Sequence, residues 1–187
     1  MAWANGRGTT LEVATFPTAD NWTWRVSIAR VEVDGAFSSL AGVDRALVVA
    51  SGAGMHLQIG DRHHTIGRFE SIQFSGDEPT EATLPSGPVD DVNLMVRRGQ
   101  GIGLPRWHVE HLQRGDTVVL GEAVAAVILD GVVTLSTPDG SFPFTPKHLR
   151  ATRFDALLRS PFEADELTSA SVTRDAVLAF AILDERS

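Results

Sequence analysis

W-R-V-S-I-A-R-V-E-V, residues Trp24–Val33, alternates apolar and polar side chains. Successive side chains of a β-strand point to opposite faces, so Trp24, Val26 and Ile28 share one face and Arg25 and Ser27 the other. Polar groups at alternate positions of an otherwise apolar strand are costly to bury unpaired, and they suggest a lined hollow. The same pattern recurs on both sides. N-G-R-G-T-T-L-E at Asn5–Glu12 is a glycine turn entering a strand, with Thr10 and Glu12 on one face and Leu11 and Val13 opposite. Downstream, D-G-A-F-S-S-L-A-G-V-D-R at Asp34–Arg45 closes on Arg45 just before an apolar run. D-V-N-L-M-V-R-R at Asp91–Arg98 puts Asp91, Asn93 and Met95 on one face and Val92, Leu94 and Val96 on the other.

Further short apolar or alternating runs lie at Ala46–Ala50, Met55–Ile59, Ser71–Phe74 and Val89–Val96. Turn pairs such as Asp34-Gly35, Ser51-Gly52, Gly60-Asp61, Gly76-Asp77 and Ser86-Gly87 separate them. Many short strands with glycine-rich turns predict an all-β sandwich or barrel. The second half repeats the plan at an offset of about 80 residues, which is the mark of two copies of one β unit. Val124–Leu129 answers Ala46–Ala50, and Val132–Ser136 before Pro138-Asp139-Gly140 answers Met55–Ile59. Phe154–Leu158 answers Ser71–Phe74, and Ala176–Leu183 answers Val92–Val96. The join is expected in R-G-Q-G-I-G-L-P, near Gly99–Pro105, giving units 1–98 and 99–187. Pro161–Leu167, acidic near its start, is the single candidate helix, with a loop as the alternative. Thr10, Glu12, Arg25, Ser27, Arg45, Asp91 and Asn93 have no counterparts in the blander second half, so the first unit is expected to carry the site.

W-R-x-S-I-A and F-S-x-x-x-G-x-D-R, with the N-G-x-G-T turn before them, make the first half similar to the HutD/Ves family. The resemblance is close over residues 3–98 and holds in outline beyond. It implies a bicupin: two cupin-like β-barrels (double-stranded β-helix, or jelly-roll) in one chain. It also implies an accessory protein of bacterial histidine utilisation, with Arg45 in a small-molecule pocket. Two departures stand out. Relatives commonly carry a segment before the tryptophan equivalent to Trp3, nearly absent here, leaving an edge open or covered by another chain. Relatives also tend to show D-F-N-x-M where this chain has Val92, which predicts a missing aromatic wall in the pocket.

Composition sets outer limits. The chain has 187 residues, 43% of them hydrophobic, enough for a sizeable core. Net charge is −8, and fifteen of the sixteen basic residues are Arg, with Lys147 alone. An acidic chain without a basic run argues against nucleic acid and anionic membrane as partners. There is no cysteine, which removes disulfides, thiolate metal sites and thiol nucleophiles. M-A-W-A-N-G lacks the pattern of a secretory leader, and the longest apolar run, Ala123–Leu129, is too short to span a bilayer. A cytoplasmic location is the expectation.

Three patterns could carry chemistry. A cupin metal site needs two histidines two apart on one strand face, with a third histidine and a carboxylate nearby. His56, His63, His64, His108, His111 and His148 contain no H-x-H; His63 and His64 are adjacent, and His108-x-x-His111 suits a helical face. No metal and no cofactor is expected. No G-x-S-x-G elbow, P-loop or G-x-G-x-x-G is present, and Gly99, Gly101 and Gly103 read as linker. The polar faces remain: Thr10, Glu12, Arg25, Ser27, Arg45, Asp91, Asn93 and Met95 are the candidate ligand-binding set. A guanidinium at Arg45 suits bidentate carboxylate recognition; a salt bridge to Glu12, Asp44 or Asp91 is the alternative. Arg25 reads as structural, Phe37 and Trp24 as core, and Arg7 as part of a plain turn. The expected partner is a small anionic carboxylate, with a homodimer as a further possibility. The resulting expectation is a non-catalytic carboxylate binder, by resemblance a sensor of a histidine-breakdown metabolite such as urocanate. The alternative is a metal-free enzyme using Glu12 and Asp91 as an acid–base pair.

Overall fold

The computed structural model describes residues 8–118, 121–136, 148–152, 156–158 and 169–185. Among them there is no helix; every regular element is a strand, as the short alternating runs predicted. The candidate helix at Pro161–Leu167, the turn at Pro138–Gly140, Trp3 and Arg7 lie outside the described residues. The described residues form two compact units, one within Met1–Trp107 together with Leu183–Ser187 and one within His108–Ile182.

The first unit packs two sheets. One has the order β1-β2-β9-β4-β7, with β1 at Gly8–Pro17, β2 at Trp22–Val31, β4 at Val43–Ser51, β7 at Ser71–Ser75 and β9 at Val89–Arg97. The other has the order β3-β8-β5-β6, with β3 at Gly35–Ala36, β5 at Met55–Ile59, β6 at Arg62–Ile66 and β8 at Thr80–Thr83. On β5, Met55, Leu57 and Ile59 point inward while His56 and Gln58 face out, the period of two expected of a half-buried strand. β4 and β9 are buried almost along their whole length. Leu47, Val49, Phe74 and Val89 from the first sheet meet Met55, Leu57, Ile59, Ile66 and Ala82 from the second in one apolar core. This core fills one part of the interior, and the polar faces of β1, β2 and β9 line the other.

β9 leads through the positive-φ glycines Gly99 and Gly101 into β10, Ile102–Leu112. The residues after this turn are therefore strand rather than linker. Trp107 is fastened to the first unit: its Nε1–H donates to Ala46 O at 3.1 Å, and Gln73 Nε2–H donates to Pro105 O at 2.7 Å.

The second unit repeats the pairing of the first. β11 (Thr117–Val118) pairs with the start of β15 (Ser169–Glu185) as β3 pairs with β8. β12 (Ala125–Ser136) joins the roles of β4 and β5. Its first part pairs with β14 (Ala156–Leu158) and the far end of β15, and its second part pairs with β13 (His148–Thr152) and the near end of β15. Register shifts around Asp130 and Val132 mark the joint. Gly131 sits there at φ 91°, with Asp175 O and Ala176 against the place a Cβ would occupy. β10 neighbours β15 as β2 neighbours β9. Ala126, Ile128, Val133, Ala176, Leu178 and Phe180 form an apolar cluster inside this unit.

Candidate functional site

A hollow of about 570 Å³ opens in the first unit, lined by β1, β2, β9, the start of β4 and the segment after β3. All eight residues of the expected set reach it: Thr10, Glu12, Arg25, Ser27, Arg45, Asp91, Asn93 and Met95. Strand pairing explains the convergence. Arg25 sits across from Met95, Ser27 from Asn93 and Ala29 from Asp91 on β2 and β9, while Arg45 of β4 faces Met95 from the other side. Paired residues on neighbouring strands share a face, so one parity gathers the polar side chains.

Alternation also settles Val92. It is fully buried and does not line the hollow, because it lies on the opposite face from Asp91 and Asn93. The expectation that Val92 removes an aromatic wall is therefore corrected; the aromatic wall comes from elsewhere. Phe37 lines the hollow, and the Arg45 guanidinium lies 5.2 Å from its ring centroid and 4.8 Å from that of Phe74. Leu11, Ala29, Ser38 and Leu40 line it too and escaped the sequence reading. Ser38 and Leu40 sit on an irregular segment with no period to read. β1 is itself irregular, with a bulge between Glu12 and Ala14, and Leu11 is exposed at the rim.

Arg45 is 6% exposed. Its Nη2–H donates to Asn93 Oδ1 at 2.7 Å, and Asn93 Nδ2 donates in turn to Asp91 Oδ1. None of the salt bridges weighed for Arg45 forms: Asn93 intervenes before Asp91, and Asp44 pairs with Arg98 at 2.7 Å. Arg45 Nε and Asp91 Oδ2 are buried with no hydrogen-bond partner. Burial lowers the Arg45 pKa to about 10; the Asp91 charge opposes the shift and Arg25 adds to it. Burial likewise pushes Asp91 up to about 7, against the pull of Arg45 and the Asn93 hydrogen bond, with Asp90 pushing the same way as burial. Arg25 donates from Nη2 to Met95 Sδ at 3.2 Å and lies 4.9 Å from the Trp22 ring centroid. Burial lowers its pKa, Glu12 opposes the shift and Arg97 adds to it, and its Nε is also without a partner. The hollow thus presents one buried and one half-buried guanidinium, each with an unpartnered Nε–H, and one carboxyl that burial raises to about 7.

The rim is stitched down. Phe37 N–H donates to Thr80 O and Leu40 N–H to Gly76 O, both at 2.8 Å, and Gly42 N–H donates to Asp77 Oδ1 at 2.8 Å. The Arg98 guanidinium gathers Asp44, Ser75 and Asp77 behind it.

Histidines stand apart from the hollow. His56 is exposed on β5 and hydrogen-bonds Thr65, and His63 and His64 take opposite faces of β6. His108 and His111 lie on a strand, not a helix; three residues apart, they face opposite ways, and His108 bonds Glu110 at 3.0 Å. Among the described residues no three of His, Asp and Glu come together as a metal-binding group.

The chain is 37% identical over 99 residues to protein Ves of Citrobacter koseri, a match covering 51% of this chain and 52% of that one. It thus spans about half the length of the curated relatives it matches. Among solved structures, a conserved protein of unknown function from Pseudomonas aeruginosa PAO1 superposes with TM-score 0.75 at 25% identity, covering 100% of this chain and 94% of that one. HutD from Pseudomonas fluorescens SBW25 gives TM-score 0.70 at 24% identity over 98% of this chain and 93% of its own. A cupin 2 conserved barrel domain protein from Leptotrichia buccalis gives 0.60 at 8% identity over 95% of this chain and 89% of its own, a likeness of fold alone. The architecture is therefore the bicupin that the first-half motifs implied. The sequence profile of the HutD family matches residues 1–179, and the chain belongs to that family.

Proposed function

We propose that this protein is a non-catalytic binder of a small carboxylate, acting as a cytoplasmic sensor. One observation carries the reading: Arg45 is buried, not ion-paired, and keeps an unpartnered Nε–H in a hollow of about 570 Å³. A cation stripped of water with no carboxylate in direct contact is costly, and an incoming carboxylate offsets that cost through charge-assisted hydrogen bonds. The volume suits a small metabolite. Family membership supports a ligand from histidine breakdown, such as urocanate or a formylated product, whose binding limits pathway flux. Thermal-shift measurements with urocanate, histidine, formate and glutamate derivatives test this. A true ligand raises the melting temperature at saturating concentration. Arg45→Ala removes that rise and weakens binding at least about tenfold, the worth of a hydrogen bond to a charged group. If no carboxylate shifts the melting temperature, or if Arg45→Ala leaves the shift intact, the reading fails.

One feature favours a second reading, the metal-free enzyme with Glu12 and Asp91 as proton carriers: Asp91 titrates near 7, the range a general base needs. Turnover of a bound ligand, lost in Asp91→Asn and Glu12→Gln, would establish it.

A further inference from the structure

The polar chain across the hollow runs in one direction. Arg45 donates to Asn93 Oδ1, and Asn93 donates to Asp91 Oδ1. The amide of Asn93 is thereby oriented, and the chain ends on an acceptor. The second oxygen of Asp91, Oδ2, is buried without a partner, and the residue is 0% exposed. At the opposite end Arg45 Nε–H is buried without an acceptor. The neighbouring carboxylate cannot explain Asp91 away, because Asp90 is engaged by Arg30 at 3.1 Å and Ser51 at 2.5 Å.

A bare carboxylate answers only the arginine. Where Asp91 is ionised, above about pH 7, such a ligand leaves its Oδ2 unsatisfied and brings a second negative charge towards it, and each is a substantial cost in a dry site. We infer that Asp91 sets ligand specificity, and that the ligand carries an N–H donor for Asp91 together with the carboxylate held by Arg45. This rests on the carboxylate reading of Arg45 and narrows it to acids bearing an amine, amide or azole N–H. Register limits the spacing. Arg45 lies across from Met95, four positions along β9 from Asp91. That separation is roughly 13 Å along the strand, and it is shortened because Arg45 reaches back to Asn93. The two ligand groups are therefore joined by a short spacer.

Calorimetric titration at pH 8, where Asp91 is ionised, with two matched series tests the inference. One series is glycine, β-alanine, 4-aminobutanoate and 5-aminopentanoate; the other is acetate, propanoate, butanoate and pentanoate. At one chain length the amino acid should bind at least about tenfold more tightly than its plain partner, a gap of roughly 1.4 kcal/mol. Asp91→Asn should erase that gap, and Arg45→Ala should abolish binding of both series. Alkanoates that bind as tightly as every amino counterpart, or a gap that survives Asp91→Asn, would overturn the role of Asp91 and leave the carboxylate reading standing. If neither series binds at all, the Arg45 reading falls and takes this one with it.

Discussion

Arg45, Asn93 and Asp91 form a relay in which each member depends on the next. Asp91 is the costly member, since a carboxylate with no exposure holds its proton more tightly folded than unfolded. Its unfolded value is near 4, and folded it titrates at about 7. Between those limits the native state binds more protons than the unfolded one, so this contribution to stability falls as pH rises from about 4 to about 7. Asp91→Asn removes the titration. Urea midpoints should therefore show the variant gaining on the parent by something on the order of 2 kcal/mol between pH 5 and pH 8. A constant difference across that range would mean that Asp91 is already ionised at pH 5. Much of this site was legible because strand parity needs only sequence: Arg25 and Ser27, and Asp91 and Asn93, had to share faces. The aromatic flanks of Arg45 were not legible. Phe37 and Phe74 come from outside the strand that carries Arg45, and only the packed sheets bring them to it.

At the level of elements, the rim segment between β3 and β4 has almost no regular structure, and its position depends on the turn between β7 and β8. Gly76 is the contact. A Cβ there would come within 2.6 Å of Leu40 O and 2.9 Å of Val43 O. Gly76 N–H also donates to Val43 O at 2.7 Å, and its carbonyl accepts from Leu40. Gly76→Ala must push that backbone away, at a cost of about 1–3 kcal/mol typical of overpacking. The displaced rim carries Leu40 and Phe37, so ligand affinity should drop together with the urea midpoint; an unchanged midpoint would show that the rim yields freely. Strands with clean alternation were readable, and β5 at Met55–Ile59 has the bounds its pattern implied. β6, R-H-H-T-I, was not, since its polar residues gave no apolar period, and the G-Q-G-I-G run hid the start of β10.

The molecule as a whole is one strand plan used twice, with different interiors. In the first unit Arg45, Asp91 and Asn93 face inward beside the apolar core. In the second, Ala126, Ile128, Leu178 and Phe180 fill the corresponding face of the equivalent strands. The repeat was visible in sequence as matched apolar runs. β12 and β15, each doing the work of two first-unit strands, were not, because Gly131 reads as a turn and yet continues a strand through a bulge. A guest is therefore expected at one place per chain. The direct measurement is two-dimensional NMR of the arginine Nε–H groups during carboxylate titration, with Arg45 assigned by its loss in Arg45→Ala. The account predicts a downfield shift of the Arg45 Nε–H that saturates at one ligand per chain. A ligand that binds while that resonance stays unmoved would contradict it.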